Sequence, residues 1–366
     1  TGKYNTKQIT WQRFRDSEAK KSQTKDDAEC KKLKDSAKNA QQQVRDLSIQ
    51  PIDLPVFGYY GTGRLWREKR LTDGKKGTTE KNNEQIRTFG YRDCLDPASS
   101  FRQFEDWFTS AYIKVMQYQI KQIEQGAIFL EVDPLLKRPV KVVQDAVNAV
   151  LKPVNWQHLQ YSETYDKSLV LKHASLGVMK VSQLSDGIKN MLAMIADIAY
   201  RCVLLNGHLG EDAAKKSSGI VLIDEIDMHL HPLWQQTVIG SLHTAFPNIQ
   251  FIVTTHSPQV LSTVPKECIR LISTNAQGDD IAAIPLAASY GEPSNDVLQA
   301  IMHVDPQPPI LEKHLLDELT SLVDQGEYPS LRAKELMAEL KQKLNDQHPQ
   351  ILKIERSIRR QEAFKG

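Results

Sequence analysis

No stretch of the chain approaches the roughly 18 consecutive apolar residues that cross a bilayer, and its first residues lack the layout of a secretory signal. Both absences point away from a membrane protein. Cysteine is scarce: Cys30, Cys94, Cys202 and Cys268 are widely separated and form no C-x-x-C pair. That argues against a disulfide framework or a thiolate zinc site and fits reduced thiols in a cytoplasmic protein. Charge of one sign is not in excess, since 47 Lys and Arg face 45 Asp and Glu for a formal charge of +2. The chain as a whole therefore carries no polyanion-binding signature. A phosphate-cradling G-x-x-x-x-G-K-[ST] loop is also missing. Gly61-Thr62-Gly63-Arg64 has neither its length nor its Lys. The chain opens Thr-Gly-Lys-Tyr rather than on Met, which is read as the start of a fragment.

What is present is ordinary for a globular protein: 40% hydrophobic and 25% charged residues over 366 positions, enough for a large domain with appendages. The basic residues are uneven, with Arg64, Arg67, Lys69, Arg70, Lys75 and Lys76 close together in an expected surface loop. Residues 1–46 are polar and charged, expected to be helical or flexible, with a solvated helix over Ser17–Arg45. Residues 47–290 are expected to form the main domain, with a helical insertion over about 97–160. There Phe101, Phe104, Phe108 and Tyr112 recur at helical spacing. Residues 291–366 read as a helical extension and a possible partner-docking element. Leu315, Leu319, Leu322, Leu336 and Leu340 mark an amphipathic helix pair within it.

The chemistry-bearing pieces lie between. Ile220-Val221-Leu222-Ile223 is an apolar run, three of its residues β-branched, and it predicts a strand buried on both faces of a parallel sheet. It ends in Asp224-Glu225. A second strand, Ile249–Val253, ends in Thr254-Thr255-His256. Ligands bind at the carboxyl ends of parallel strands, and paired carboxylates there suit Mg²⁺-nucleotide hydrolysis. Their plain structural reading is a solvated acidic strand end. His256 could hydrogen-bond a phosphate or an attacking water, or be a satisfied strand-end histidine. Leu184-Ser185-Asp186-Gly187 opens a long apolar helix. Such a start offers hydroxyl and backbone N–H groups to an anion, or is simply an N-cap. His229 and His231 sit two apart, a spacing that favours no metal site in an extended segment. Cys268–Ser273 and Ile281–Pro285 are expected as further strands at the sheet edge.

Taken in order, Leu184–Gly187, Ile220–Glu225 and His256 resemble the ABC-type ATPase family, in the branch that contains the RecF, SMC and OLD proteins. The resemblance implies an α/β fold: an ABC-type (RecA-like) mostly parallel sheet with flanking helices, whose P-loop lobe lies N-terminal to this chain. It implies ATP and Mg²⁺, with Asp224 holding the metal and Glu225 and His256 catalytic. Ser185 and Gly187 belong to a signature motif that touches ATP held by a second copy, and Met228–His231 falls at the dimer-crossing loop. Tyr59–Arg64, Gly90-Tyr91, Leu95-Asp96-Pro97 and Leu230-His231-Pro232 look like the PtuA family, ATPases of Septu-type and retron-associated antiphage systems. That resemblance implies self-assembly around ATP and control of a partner HNH nuclease, PtuB. In retron versions it adds a reverse transcriptase with its multicopy single-stranded DNA. The alternatives are a RecF/SMC-like DNA-repair or chromosome-associated ATPase and a non-hydrolysing scaffold of the same fold.

Overall fold

The computed structural model describes residues 2–4, 7–9, 13–15, 24–26, 30–46, 48, 50–63, 87–96, 101–126, 133–275 and 278–365. The basic cluster from Arg64 to Lys76 lies outside them. The chain divides into two compact units, Thr1–Ile269 and Arg270–Gly366.

The first unit opens with two short antiparallel pairs, β1 (Gly2–Tyr4) with β2 (Lys7–Ile9) and β3 (Arg13–Arg15) with β4 (Thr24–Asp26). Helix α1 follows over Cys30–Arg45, shorter than the helix the charge pattern predicts. The centre of the unit is a parallel sheet of β5 (Val56–Tyr60), β9 (Gly219–Ile223) and β10 (Ile249–Val253), in spatial order β10-β9-β5. Its register aligns Val56, Gly219 and Ile249 at one end and Tyr60, Ile223 and Val253 at the other. The carboxyl ends of all three strands are therefore level. Gly219 permits that register, because a Cβ there would lie 2.0 Å from the Val56 carbonyl oxygen.

The helices of this unit are α2 (Phe101–Glu124), α3 (Pro134–Leu151), α4 (Asp186–Asn206) and α7 (Val238–Ala245), with short α5 (Ala213–Lys216) and α6 (Pro232–Gln235) between the last two; α4 packs against β5, and α2 and α3 pack on α4 and β6. Helix α3 starts where Asp133 accepts the Leu135 N–H at 2.9 Å and Pro134 opens the first turn. Helix α4 is apolar almost all round, with Met191, Leu192, Met194, Ile195, Ile198 and Ala199 buried, as befits a central helix. The aromatic stripe of α2 packs inward: Phe104 and Phe108 are fully buried, and Trp107 meets Tyr200 of α4 at 4.6 Å between ring centroids. Strands β6 (Trp156–Ser162), β7 (Ser168–His173) and β8 (Gly177–Lys180) form a separate antiparallel sheet. The β7–β8 hairpin turns just before Gly177, whose φ of +79° suits glycine.

Two expectations are corrected. The parallel sheet is buried on one face, not both. Val221 and Ile223 are enclosed, whereas Ile220 is 40% and Ile252 51% exposed. The strands β11 (Leu271–Thr274) and β12 (Asp280–Ala283) do not extend the parallel sheet. They pair with each other, antiparallel, in the second unit. There α9 (Ser294–Ala300), α10 (Lys313–Asp324), α11 (Leu331–Leu344) and α12 (Pro349–Lys365) follow the short α8 (Pro258–Leu261) of the first unit. Leu315, Leu319, Leu336 and Leu340 join Ile351 and Ile354 in a core of the second unit's own. Arg332 bridges α11 to α10 through a two-pronged pair with Glu318 at 2.7 and 2.8 Å.

Candidate functional site

The level carboxyl ends of β5, β9 and β10 deliver Tyr60, Asp224 and Thr254 side by side. The Asp224 N–H donates to the Tyr60 carbonyl at 2.8 Å, and the Thr254 N–H donates to the Ile223 carbonyl at 3.0 Å. The Thr254 hydroxyl then donates to Asp224 Oδ1 at 2.6 Å while accepting the Glu225 N–H at 2.8 Å. One hydroxyl thus orients the first carboxylate and holds the backbone of the second. Asp224 and Glu225 are half-buried, and His256 is exposed two residues beyond Thr254. The structure brings Asp224, Glu225 and His256 to the same sheet edge, as the sequence order predicts.

Glu225 has φ +46°, in the left-handed region. A non-glycine residue there costs about 1–2 kcal/mol. The twist ends the strand and starts a tight turn, in which Met228 N–H donates to Glu225 O and Leu230 N–H to Asp227 O. A second layer of hydrogen bonds fixes that turn. The Thr255 hydroxyl donates to Asp227 Oδ1, the Gln235 amide to Leu230 O at 2.9 Å, and the Ser257 hydroxyl to Gln235 Oε1 at 2.7 Å. Thr254, Asp227, Gln235 and Ser257 were not singled out by pattern. The hydroxyl run Thr254-Thr255 next to His256, at a strand end facing acids, is the signal that could have found the first of them. His231 serves as N-cap of α6, its Nδ1 accepting the Leu233 N–H. Among the described residues, no group of three or more His, Cys, Asp or Glu could hold a metal unaided.

Ser185 stands at the N-cap of α4 with extended backbone, is exposed, and makes no capping hydrogen bond with its side chain. Asp186 follows in the first turn, favourable to the helix dipole. Gly187 is buried against the turn after Glu225: a Cβ there would lie 2.3 Å from the His229 carbonyl oxygen. Packing rather than φ demands glycine, and the contact joins the first turn of α4 to the turn that follows the acids. Deeper in α4, Asp197 and Arg201 form a buried ion pair at 2.9 Å, and the Tyr60 hydroxyl donates to Asp197 Oδ2 at 2.8 Å. Burial, with Asp197 beside it, pushes the Tyr60 hydroxyl well above the usual phenol range.

The parallel sheet thus presents an oriented Asp and a neighbouring Glu at its carboxyl edge, with a helix N-terminus packed against the turn that follows them. A family described as "AAA domain, putative AbiEii toxin, Type IV TA system" matches residues 79–262, half of the chain. The chain belongs to this AAA family. Ser185, Gly187, Asp224, Glu225 and His256 all lie inside the matched residues. The chain is 27% identical over 327 residues to the "Retron Vc95 probable ATPase" of Vibrio cholerae serotype O1 biovar El Tor, an alignment covering 81% of this chain and 62% of that protein. It is 40% identical over 182 residues to the "Retron Ec83 probable ATPase" of Escherichia coli, covering 49% of this chain and 32% of that protein. Over 79 residues it is 48% identical to the "Septu protein PtuA" of Bacillus mycoides (strain KBAB4), covering 22% of this chain and 10% of that protein. The expected kinship to PtuA and the retron ATPases is thus met. The chain spans less than two thirds of the length of each of these relatives. None of the helices, among the described residues, is long and apolar enough to cross a membrane.

Proposed function

We propose that this AAA-family member is the ATP-binding and ATP-hydrolysing part of an ABC-type ATPase subunit in a bacterial antiphage defence complex. The observation that carries the reading is the Asp224–Thr254–Glu225 corner at the carboxyl edge of a parallel sheet, inside the residues that match an AAA domain. Its chemistry suits Mg²⁺: the ion takes one or two carboxylates and fills its octahedron with water and phosphate oxygens, and Asp224 is a single carboxylate already oriented by a hydroxyl. When bound, the metal supplies neutralisation of charge on the phosphate oxygens. Glu225 orients a water and takes its proton as oxygen attacks the γ-phosphorus and ADP leaves. His256 hydrogen-bonds the terminal phosphate or that water. Two copies close on ATP, one contributing Asp224, Glu225 and His256 and the other Ser185 and Gly187 at the start of α4, where helix N–H groups meet an anion.

The retron and Septu names of the relatives support a defence role and the partners that go with it: a second copy of this chain, an HNH nuclease of the PtuB kind, and in retron settings a reverse transcriptase with its multicopy DNA. The ATPase domain expected over 47–290 is taken here to end with the first unit at Ile269, and the helices of 291–366 are taken as the partner-docking element. Glu225→Gln in the full-length protein is expected to lower hydrolysis by about a hundred-fold or more while ATP stays bound and the copies stay associated. Undiminished turnover would reject Glu225 as the base. A wild type that binds ATP without turnover would favour the scaffold alternative.

A further inference from the structure

Helix α4 presents candidate chemistry at its first turn, yet three turns further on it buries an ion pair. Asp197 is 4% and Arg201 6% exposed. Taking two charges out of water is costly unless hydrogen bonds complete them, and apolar residues of similar volume often stabilise a protein more. Hydrogen bonds complete this pair, and its partners show what it connects. Arg201 Nη1 donates to the carbonyls of Gly90 at 2.8 Å and Arg92 at 3.0 Å. Asp197 Oδ2 accepts both Arg201 Nε and the Tyr60 hydroxyl. Tyr60 is the last residue of β5, and its carbonyl accepts the Asp224 N–H. Two hydrogen bonds, joined through the covalent frame of Tyr60, connect the middle of α4 by way of Asp197 to Asp224. The contact of Gly187 with His229 ties the same helix to the same segment at its first turn.

We infer that Tyr60, Asp197 and Arg201 are positioning residues, a buried strut that makes the start of α4 and the acid-bearing strand end move as one body. The inference rests on the proposed function, in which those two ends serve different nucleotides: Asp224 its own chain's ATP, Ser185 that of the neighbouring copy. A rigid connection within each chain then makes closure on one ATP set the geometry at the other. Coupling between the two sites is the function of the strut. None of the three residues needs to touch nucleotide.

Tyr60→Phe keeps the ring and removes only the hydroxyl, so it is the variant to test in the full-length protein. Val238→Ala, a cavity in the core on α7, provides a destabilised control that leaves the strut intact. Tyr60→Phe is expected to raise half-saturating ATP about five-fold or more and to bring the Hill coefficient toward unity, with maximal turnover nearly retained. The control should lower the melting temperature without either change. Amide exchange gives a readout independent of turnover, through the Lys189 N–H bonded to Ser185 O and the Asp224 N–H bonded to Tyr60 O. Both are expected to exchange about ten-fold faster in Tyr60→Phe than in the control. Equal exchange in the two variants, or an ATP dependence unchanged from wild type, overturns the strut. Absence of turnover in the wild type would sink the proposed function instead, and exchange would still decide for or against the strut.

Discussion

Replacing Gly187 by Ala separates local helix preference from tertiary packing, because the two predict opposite signs. Gly187 is the second residue of α4, and Ala in a helix is favoured over Gly by up to about 1 kcal/mol. On that ground alone the variant should melt higher. The added Cβ, however, would lie 2.3 Å from the His229 carbonyl oxygen, against an ordinary contact of 3.4 Å or more. The obstacle is backbone, held in a turn by the Leu230–Asp227 and Gln235–Leu230 hydrogen bonds, so it cannot swing aside as a side chain would. Helix and turn must separate by about 1 Å, and overpacking of this kind costs about 1–3 kcal/mol. After a helix gain of up to about 1 kcal/mol is subtracted, a loss of up to about 2 kcal/mol remains, or a fall of up to roughly 4–8 °C in melting temperature for a unit of this size. Because the displaced turn follows Glu225 directly, turnover of ATP should fall about ten- to a hundred-fold. Scanning calorimetry and a steady-state phosphate-release assay on the full-length protein measure both. A variant that melts higher than wild type with intact turnover would refute the packing argument.

Thr254→Val preserves shape but removes the hydroxyl shared by Asp224 and Glu225. At a half-exposed site water replaces part of the loss, so stability should fall by only about 1 kcal/mol while turnover drops about ten-fold. Equal turnover would show that the bridge is not needed. The buried Tyr60 hydroxyl has its pKa raised in the folded chain, by burial and then by Asp197. Its contribution is therefore complete below about pH 10 and is lost as pH rises above that unfolded value. Wild type should lose melting temperature more steeply than Tyr60→Phe above pH 10, and parallel curves would contradict this. Cys202 lies buried in α4 with its thiol pushed up to about 12 by burial, whereas Cys268 is exposed. A thiol reagent at pH 8 should label Cys268 and spare Cys202 until the protein unfolds.

The strands that carry the acids were readable because β-branched runs ending in polar residues leave few alternatives, and α4 because its apolar pattern continues for five turns. Residues 156–162 fall largely within the expected helical insertion yet form β6, since the bulge between Gln157 and Gln160 interrupts the alternation that marks a strand. The partnership of β11 with β12 could not be distinguished from pairing with the parallel sheet, because both are short and mostly exposed. The candidate residues could be named from the sequence, but their geometry could not. Nothing local indicates that Glu225 adopts a left-handed backbone, or that Tyr60 meets a residue 137 positions away. One clue was available: Asp197 and Arg201, four apart within an otherwise apolar helix, have the spacing of an ion pair that the helix must bury.

The backbone conformation at Glu225 sets stability against chemistry. Asn tolerates positive φ better than Glu does, so Glu225→Asn removes a steric penalty along with the long carboxylate. Variants of this protein selected only for yield or heat resistance will drift toward Asn or Gly at that position, and the gain in robustness will come at the expense of whatever the glutamate does.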